Sequence, residues 1–457
     1  MQKILFFSLF ALAFVIKSFG QSDFKEINNK SLECYNNAEW DSVIYYGEIA
    51  KKNNIDYYYL SYRLAIANFY KTNYFSSIYY FDKAIKQNEL AKTDLFFIEL
   101  YYRALLYSKN YCQADYIFMK TDSLDNEIGI KHRGNFFLTY INSNAFSPIE
   151  IEKLRMDEEK TYTQSDYQQT MNTIAFGGNF IASGKLELDF RYAYSNIGML
   201  GAAENKQYFN IRNYKLNQHV VNIKPRYHFG AKSSLDFAFG FHKVDGNPYG
   251  IQDSTLEMDY YSLKSTNLMA GLSYNYVHKN MTFGVNAVYS NFNDYNNIQL
   301  GATFKWFPKG NLNLYSITEA SVFKARNNGI RPIVYQKVGG KVYNKFWLEG
   351  HVIVGDVQDF TMLSSNYSFE IAYETKFIAG AKLLYVHNNS LSFYLGSNYI
   401  LSSINKYQGI NPDDLEADNG NSKKGGRNKK VEEYNNIETN KLGYSQFNIF
   451  GGIQWKF

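Results

Sequence analysis

The chain is 457 residues long and carries 48 Lys and Arg against 43 Asp and Glu, a formal charge of +5 at pH 7. That balance is too even for a nucleic-acid-binding surface, and the length exceeds an ordinary single domain. Aromatic residues reach 18% while mean hydropathy is −0.39; a membrane β-barrel reconciles the two, because its lipid-facing and lumen-facing residues alternate and their hydropathies cancel.

The chain opens with Lys3, then the apolar run "ILFFSLFALAFVI" (Ile4–Ile16), then "KSFGQ". A basic start, a short apolar run and small residues predict a secretory signal peptide over 1–20, cleaved after Gly20. The run is too short for a spanning helix, which needs about 20 apolar residues. With no Cys directly after it, a lipoprotein signal is disfavoured. Export to an oxidising compartment permits a disulfide between Cys34 and Cys112, a pairing that the sequence leaves open.

Residues 21–145 show helical spacing of apolar residues and a self-similar unit. "YNNAEWDSVIYYGEIAKKN" from Tyr35 and "YKTNYFSSIYYFDKAIKQN" from Tyr70 align at an offset of 70 − 35 = 35. The alignment sets Trp40 on Phe75, Val43 on Ile78 and Tyr46 on Phe81, and a third copy, "YSKNYCQADYIFMK", starts at Tyr107. Ser77, Phe81 and Ala84 carry a small-x3-aromatic-x2-apolar pattern, matched by Ser42, Tyr46 and Ile49 and by Ala114 and Phe118. This resembles the tetratricopeptide repeat, whose period is about 34 residues, although the family's Gly and closing Pro are missing. The resemblance implies a periplasmic solenoid of helix pairs that recruits a protein or peptide partner. Phe81, Phe118 and Tyr46 are expected in the inter-repeat core, and Tyr58, Tyr62 and Tyr101 are candidates for lining a groove.

Residues 146–183, with Pro148 and the charge run from Glu150 to Lys160, read as a linker and entry segment with room for one short helix. From 184 to 457 the period is two. "SLDFAFGFH" sets Leu235, Phe237, Phe239 and Phe241 against Asp236, Ala238, Gly240 and His242, and "KLELDFRYAY" repeats the scheme. Short connections at 230–233, 278–280, 308–311, 342–345 and 387–390 alternate with long ones at 196–216, 246–263, 356–369 and 404–442. Such alternation matches the turns and loops of an outer-membrane barrel. Counting strands back from the C-terminus predicts about twelve, or fourteen if 171–180 belongs to an added pair.

The chain ends "YSQFNIFGGIQWKF". Gly452, Trp455 and Phe457 resemble the C-terminal signal that outer-membrane proteins present to the barrel-assembly machinery, with Phe450 the one misfit. The expected fold is α+β: a helical solenoid followed by an antiparallel transmembrane barrel in outer-membrane lipid, with the helices in the periplasm. The lumen-facing positions are Lys185, Glu187, Asp189, Arg191, Lys224, Arg226, Asp236, His242, Lys305, Glu349, Glu374, Lys376 and Lys382.

The seven His show no metal-ligand spacing and there is no G-x-S-x-G, so no catalytic residue, metal or cofactor is expected. The plan resembles tetratricopeptide-plus-porin proteins that secrete exopolysaccharide, which implies a polar passage with a partner-recruiting domain. A non-conducting assembly or anchoring protein is the competing class. A barrel enzyme built on Asp236 with His242, or Glu349 with His351, is the third.

Overall fold

The computed structural model describes residues 24–121, 134–230, 232–251, 258–294, 296–324, 329–363, 367–369, 373–409 and 438–456. Helices come first: α1 (24–36), α2 (Trp40–Lys52), α3 (Tyr58–Tyr70), α4 (Tyr74–Gln87), α5 (Leu95–Tyr107) and α6 (Tyr111–Lys120). From α2 onward each packs against the next in sequence. No single amphipathic hairpin can bury its apolar face alone, and here Phe81, Phe97, Tyr101 and Leu105 share one core with Val43, Leu64 and Ala84.

The hairpin turns repeat. Ala38, Thr72 and Lys109 are all left-handed, with φ of 56°, 58° and 60°. In each turn the next residue (Glu39, Asn73, Asn110) donates its amide to a carbonyl five residues back (Cys34, Asn68, Leu105). A non-glycine residue in this conformation costs about 1 kcal/mol, so the recurrence marks one turn design used three times. The first interval is 72 − 38 = 34 residues, one fewer than the sequence alignment. The buried positions of α2 are accordingly Val43, Gly47 and Ala50, opposite Ser77, Phe81 and Ala84 in α4. Aromatic letters at Trp40 and Tyr46 drew the alignment one residue off the buried face. Gly47 occupies the ring position because a Cβ there would lie 2.5 Å from Leu64 of α3.

The chain next enters the wall of a barrel: β1 (Gly134–Ser147), β2 (Tyr162–Ser183), β3 (Leu186–Asn205), β4 (Phe209–His228) and β5 (Ser233–Gly246). Between β1 and β2 lies the four-residue helix α7 (Ile151–Leu154). A small hairpin, β6 (Tyr249–Ile251) and β7 (Met258–Tyr260), interrupts the wall, which resumes with β8 (Leu263–His278), β9 (Met281–Ser290), β10 (Asn297–Trp306), β11 (Leu314–Lys324), β12 (Ile330–Tyr343) and β13 (Phe346–Val354). A second hairpin, β14 (Phe360–Met362) and β15 (Tyr367–Phe369), precedes β16 (Glu374–Val386), β17 (Leu391–Gly409) and β18 (Glu438–Lys456). Leaving out the two hairpins, fourteen antiparallel strands close on themselves, β1 pairing with both β2 and β18.

The count is fourteen, the alternative in which 171–180 belongs to an added pair, rather than about twelve, and the barrel starts at Gly134 rather than 184. The added strands are β1, assigned from sequence to the helical domain, and β2, assigned to the linker. In "GNFFLTYINSNAFS" the adjacent rings Phe136 and Phe137 and the pair Tyr140–Ile141 hide the alternation. The pairing nevertheless leaves Phe136, Leu138 and Tyr140 exposed outside, with Thr139 and Ser143 buried. The expected long loop at 196–216 is also absent: β3 and β4 run on and meet in a turn at 206–208. Twenty residues of strand span roughly 65 Å, far beyond a bilayer's hydrocarbon, so these strands leave the membrane zone and lose their alternation there. Most of the expected 404–442 loop (410–437) lies outside the described residues, as do the signal segment and Phe457.

One end of the barrel carries the short turns and the other the long connections. At the long-connection end the mouth is covered. Tyr407 of β17 pairs with Thr439 of β18 and with Gln164 of β2, so β2 lies on the edge of β17 that β16 occupies lower down. The extension of β2, β3 and β4 therefore reaches across the opening. Ile149 and Leu154 pack under it with Tyr167, Leu200, Ile404 and Tyr444.

The helices cover the turn end. Phe75 stacks on Phe307 at 4.2 Å between centroids, and its amide donates to the Gly310 carbonyl at 3.0 Å. Ser76 bonds Asn280 at 2.8 Å and Asn311 donates to the Thr72 carbonyl at 3.1 Å. Tyr79 receives Lys232 on its ring face at 4.4 Å. At Gly310 (φ 62°) an added Cβ would run into Asn73, so this turn needs glycine both for its conformation and for the contact. Cys34 and Cys112 are separate, buried, free thiols. Cys112 donates to the Ser183 carbonyl in the β2–β3 turn, and burial pushes its thiol up to about 12.

The docked geometry predicts that Ser76→Cys with Asn280→Cys forms a disulfide nearly quantitatively in the folded protein under mild oxidation, read as a gel shift reversed by reductant. Free thiols in both positions after oxidation would show that the helices leave the barrel.

Candidate functional site

Strand alternation decides what the barrel presents on each side. On β5, Phe237, Phe239 and Phe241 are 42%, 54% and 41% exposed outside, while Asp236, Ala238 and His242 are buried inside. On β18, Phe447, Ile449, Ile453 and Trp455 face out and Gln446 and Asn448 face in. Phe450 faces in as well, its ring over Gly396, where a Cβ would lie 2.4 Å away. A glycine on the neighbouring strand makes room for the one ring that breaks the pattern.

The inner face is charged toward the turn end. Arg226 binds Asp236 through two nitrogens (2.7 and 3.0 Å) and reaches Glu187 at 3.4 Å. Glu187 also contacts His228 and Asn179, and Lys224 lies 3.4 Å from Asp189. Farther round, Glu349 collects Lys337, Lys382 and the Tyr315 hydroxyl. Bidentate and doubly bridged arrangements of this kind keep lumen charges compensated without a dry core.

Toward the other end the same inner face turns apolar, and a piece of the chain fills it. The β14–β15 hairpin and its approach fold into the lumen, where Val357, Phe360 and Met362 pack on Phe323, Ile333, Tyr335, Ile353 and Ile378. Leu363 packs on Ala238, Met269, Val288 and Phe292 of the opposite side. Polar side chains of the wall then hold its backbone. Gln299 donates to the Thr361 carbonyl (2.7 Å) and accepts from the Thr361 amide (3.1 Å). Lys224 donates to the Leu363 carbonyl at 3.0 Å, and Arg191 lies 4.6 Å over the Tyr367 ring. The hairpin bridges the lumen from β13 and β16 to β3, β4 and β10.

The structure brings ten of the thirteen expected lumen residues to the inner face: Glu187, Asp189, Arg191, Lys224, Arg226, Asp236, His242, Lys305, Glu349 and Lys382. His242 is fully buried, its ring 4.6 Å from Phe292. Three lie elsewhere. Lys185 belongs to the β2–β3 turn, over Tyr116 of α6. Glu374 and Lys376 lie outside with Lys441, because a bulge at Lys376 shifts β16 and leaves Thr375 on the inner side, bonded to Ser402. Of the groove candidates, Tyr101 is core: it is 1% exposed and its hydroxyl donates to Asp82. Tyr62 stacks on Phe97 and bonds Asp94, and Tyr58 packs beside it. Gly452 lets Tyr394 and the Leu138 backbone approach, and Trp455 is 57% exposed on the outer face.

Sequence reasoning missed Gln299, Thr361, Leu363 and Lys109. The apolar letters of "DFTML" inside a loop were the available signal. Lys109 sits at the left-handed turn between α5 and α6. Enclosure by the surrounding protein, which costs the ammonium part of its solvation, holds it down at about 8, with the field of Lys456 adding to the effect.

No protein-family model and no curated protein matches the sequence. Among solved structures, the barrel is similar to a Pseudomonas aeruginosa FadL homologue (8% identity, TM-score 0.40, covering 71% of this chain and 90% of that one). It is similar to the Pseudomonas putida toluene transporter TodX (7%, TM-score 0.41, 72% and 91%). It is also similar to the transport unit of the Escherichia coli autotransporter AIDA-I (13%, TM-score 0.31, 77% and 99%). Likenesses this distant transfer no substrate to this chain.

Arg226→Met is expected to destabilise the folded barrel by about 3 kcal/mol, the low end of the cost of breaking a buried pair, since Glu187 and Asp236 lose their counter-charge. Adding Asp236→Leu should restore part of it. The gel-shift melting temperature measures both.

Proposed function

We propose that the protein is an outer-membrane barrel forming a gated polar passage, closed in this structure. The observation that carries the reading is the lumen hairpin. A fourteen-stranded wall is too wide for its own side chains to fill, and wider barrels hold a channel or a plug. Here the filler is a loop segment held by a few hydrogen bonds and two small apolar clusters, in a lumen whose other half is charged. Such a segment can withdraw without breaking the wall's pairing.

In this reading the chain is exported, inserted by the barrel-assembly machinery and oriented with its turn end toward the periplasm. The helical region then guards the periplasmic mouth. Its three equivalent hairpin turns support a tetratricopeptide-like stack that recruits a periplasmic protein or peptide, with Tyr58 and Tyr62 as candidate contacts. The cargo class is a polar solute or polymer, exopolysaccharide among them, and no catalysis is assigned. A second reading, a non-conducting mount for the helical region, is favoured by the closure of both mouths.

The two readings part in planar bilayers. Replacing 358–371 by a short Gly-Ser linker should convert a nearly silent barrel into one with stable, large conductance. A folded deletion variant that never conducts would overturn the passage and leave the mount.

A further inference from the structure

The outer face of the barrel changes character abruptly on β4, β5 and β8 toward the long-connection end. Val221, Phe241 and Leu268 lie in register across the three strands, with Phe241 and Leu268 exposed as lipid-facing side chains are. One step higher on the same face stand His219, Lys243 and Thr266, and one step higher again Asn217, Asp245 and Lys264. Tyrosines of β3 flank both rows: the Tyr192 hydroxyl bonds His219 and that of Tyr194 donates to Asn217, each at 2.9 Å. Tyrosine collects where hydrocarbon gives way to headgroups, so these rows stand at the membrane boundary. From Phe241 to Asp245 the strand climbs only about 13 Å.

A cavity of about 620 Å³ opens at this level. It lies where the wall is notched: β4 extends up to Phe209, but its pairing with β5 ends at Leu216↔Gly246. Lys215 and Asn217 of β4, Asp245 of β5, Lys264 of β8 and the rings of Tyr214 and Tyr260 line it. The Tyr214 hydroxyl donates to Asp166 at 3.0 Å, which fixes that ring. Asn217 accepts from both Tyr194 and Asn196, leaving its NH2 group unengaged among the described residues. Lys215, Lys243 and Lys264 are exposed, and none has an ion-pair partner among the described residues. Three ammonium groups thus gather around one carboxylate, beside a recess of the size that holds small ligands.

We infer that this notch binds the phosphorylated sugar headgroup of a glycolipid in the surrounding leaflet. Lys215 and Lys264 reach it from opposite sides and supply point charges for phosphate. Asn217 and Asp245 offer a donor and an acceptor to sugar hydroxyls, and the Tyr260 ring gives an apolar surface for a sugar face. The recess far exceeds a lone phosphate, which is why a sugar belongs to the ligand. Its polar lining lies on the face that carries Phe241 and Leu268 rather than on the lumen face, which is why the ligand is a lipid and not cargo. That this end meets the outward leaflet rests on the orientation given in the passage reading.

The test uses full-length protein, folded in detergent, stripped of bound lipid and titrated by thermophoresis. The probes are bisphosphorylated lipid A, its dephosphorylated form, phosphatidylglycerol and the deacylated bisphosphorylated glucosamine disaccharide. Saturable binding of lipid A, weakened by salt, is expected. The dephosphorylated form and phosphatidylglycerol should bind at least about tenfold more weakly, each lacking one half of the recognised group. Lys215→Gln with Lys264→Gln changes exposed side chains only and should fold; it should lower affinity for lipid A about tenfold or more, and the matching Arg pair should keep it. Lys324→Gln, an exposed lysine at the same end of the barrel on β11, should leave affinity unchanged. Equal binding of phosphatidylglycerol, or an equal loss in Lys324→Gln, overturns the site in favour of general charge attraction. Binding of the deacylated disaccharide as tight as that of lipid A overturns the lipid assignment. The hairpin-deletion conductance is measured separately, so a barrel that conducts but does not bind lipid A refutes this inference and leaves the passage standing.

Discussion

Backbone hydrogen bonding in a medium without water is the constraint from which the rest follows. An extended segment crossing hydrocarbon must have both edges paired, and the chain meets this by returning its last strand to its first. The register from Asn135↔Lys456 to Asn144↔Phe447 is thus the contact that makes all other pairings sufficient. It also explains the alternating aromatic residues of β18. The closing strand must present rings to lipid and amides to β1 at once.

Closure at fourteen strands creates a second demand. The ring of strands is wider than inward side chains can span, so the interior must be water, ions or another piece of chain. This interior is layered. Near the turn end, charges pair across strands. Higher up, inward Phe323, Ile333, Ile353 and Ile378 offer an apolar seat to Phe360 and Met362. Above that, the sheet extends past the membrane zone and folds over its own opening. The change from charged to apolar along the inner face is what localises the hairpin, and the Gln299–Thr361 and Lys224–Leu363 bonds fix its depth.

The helical region repeats one hairpin turn and puts two copies of it to different use. At Thr72 the turn accepts a hydrogen bond from Asn311 and brings Phe75 onto Phe307. At Lys109 the same geometry places a charged side chain at the corresponding position, with no hydrogen bond to the barrel among the described residues. Identical backbone, different side chain and different surroundings give a fastening in one case and a charge in the other.

The sequence by itself determined much of this. Alternation on β3, β5 and β18, short turns between long connections, and helical spacing before residue 121 were legible because each depends on local periodicity against one fixed environment. Where two environments meet, the letters lost their meaning. β1 was hidden by adjacent rings, β3 and β4 lost alternation where both faces are covered, and the repeat slipped by one residue because Gly47 replaces the expected ring. Lys185, Glu374 and Lys376 were misplaced by a turn and a bulge, each of which resets the side to which a side chain points. Only the tertiary structure decided that "DFTML" turns inward and that Phe75 of the helices stacks on Phe307 of the barrel. Those contacts depend on how a closed ring brings distant strands to face one another, and no local pattern encodes the far side of a barrel.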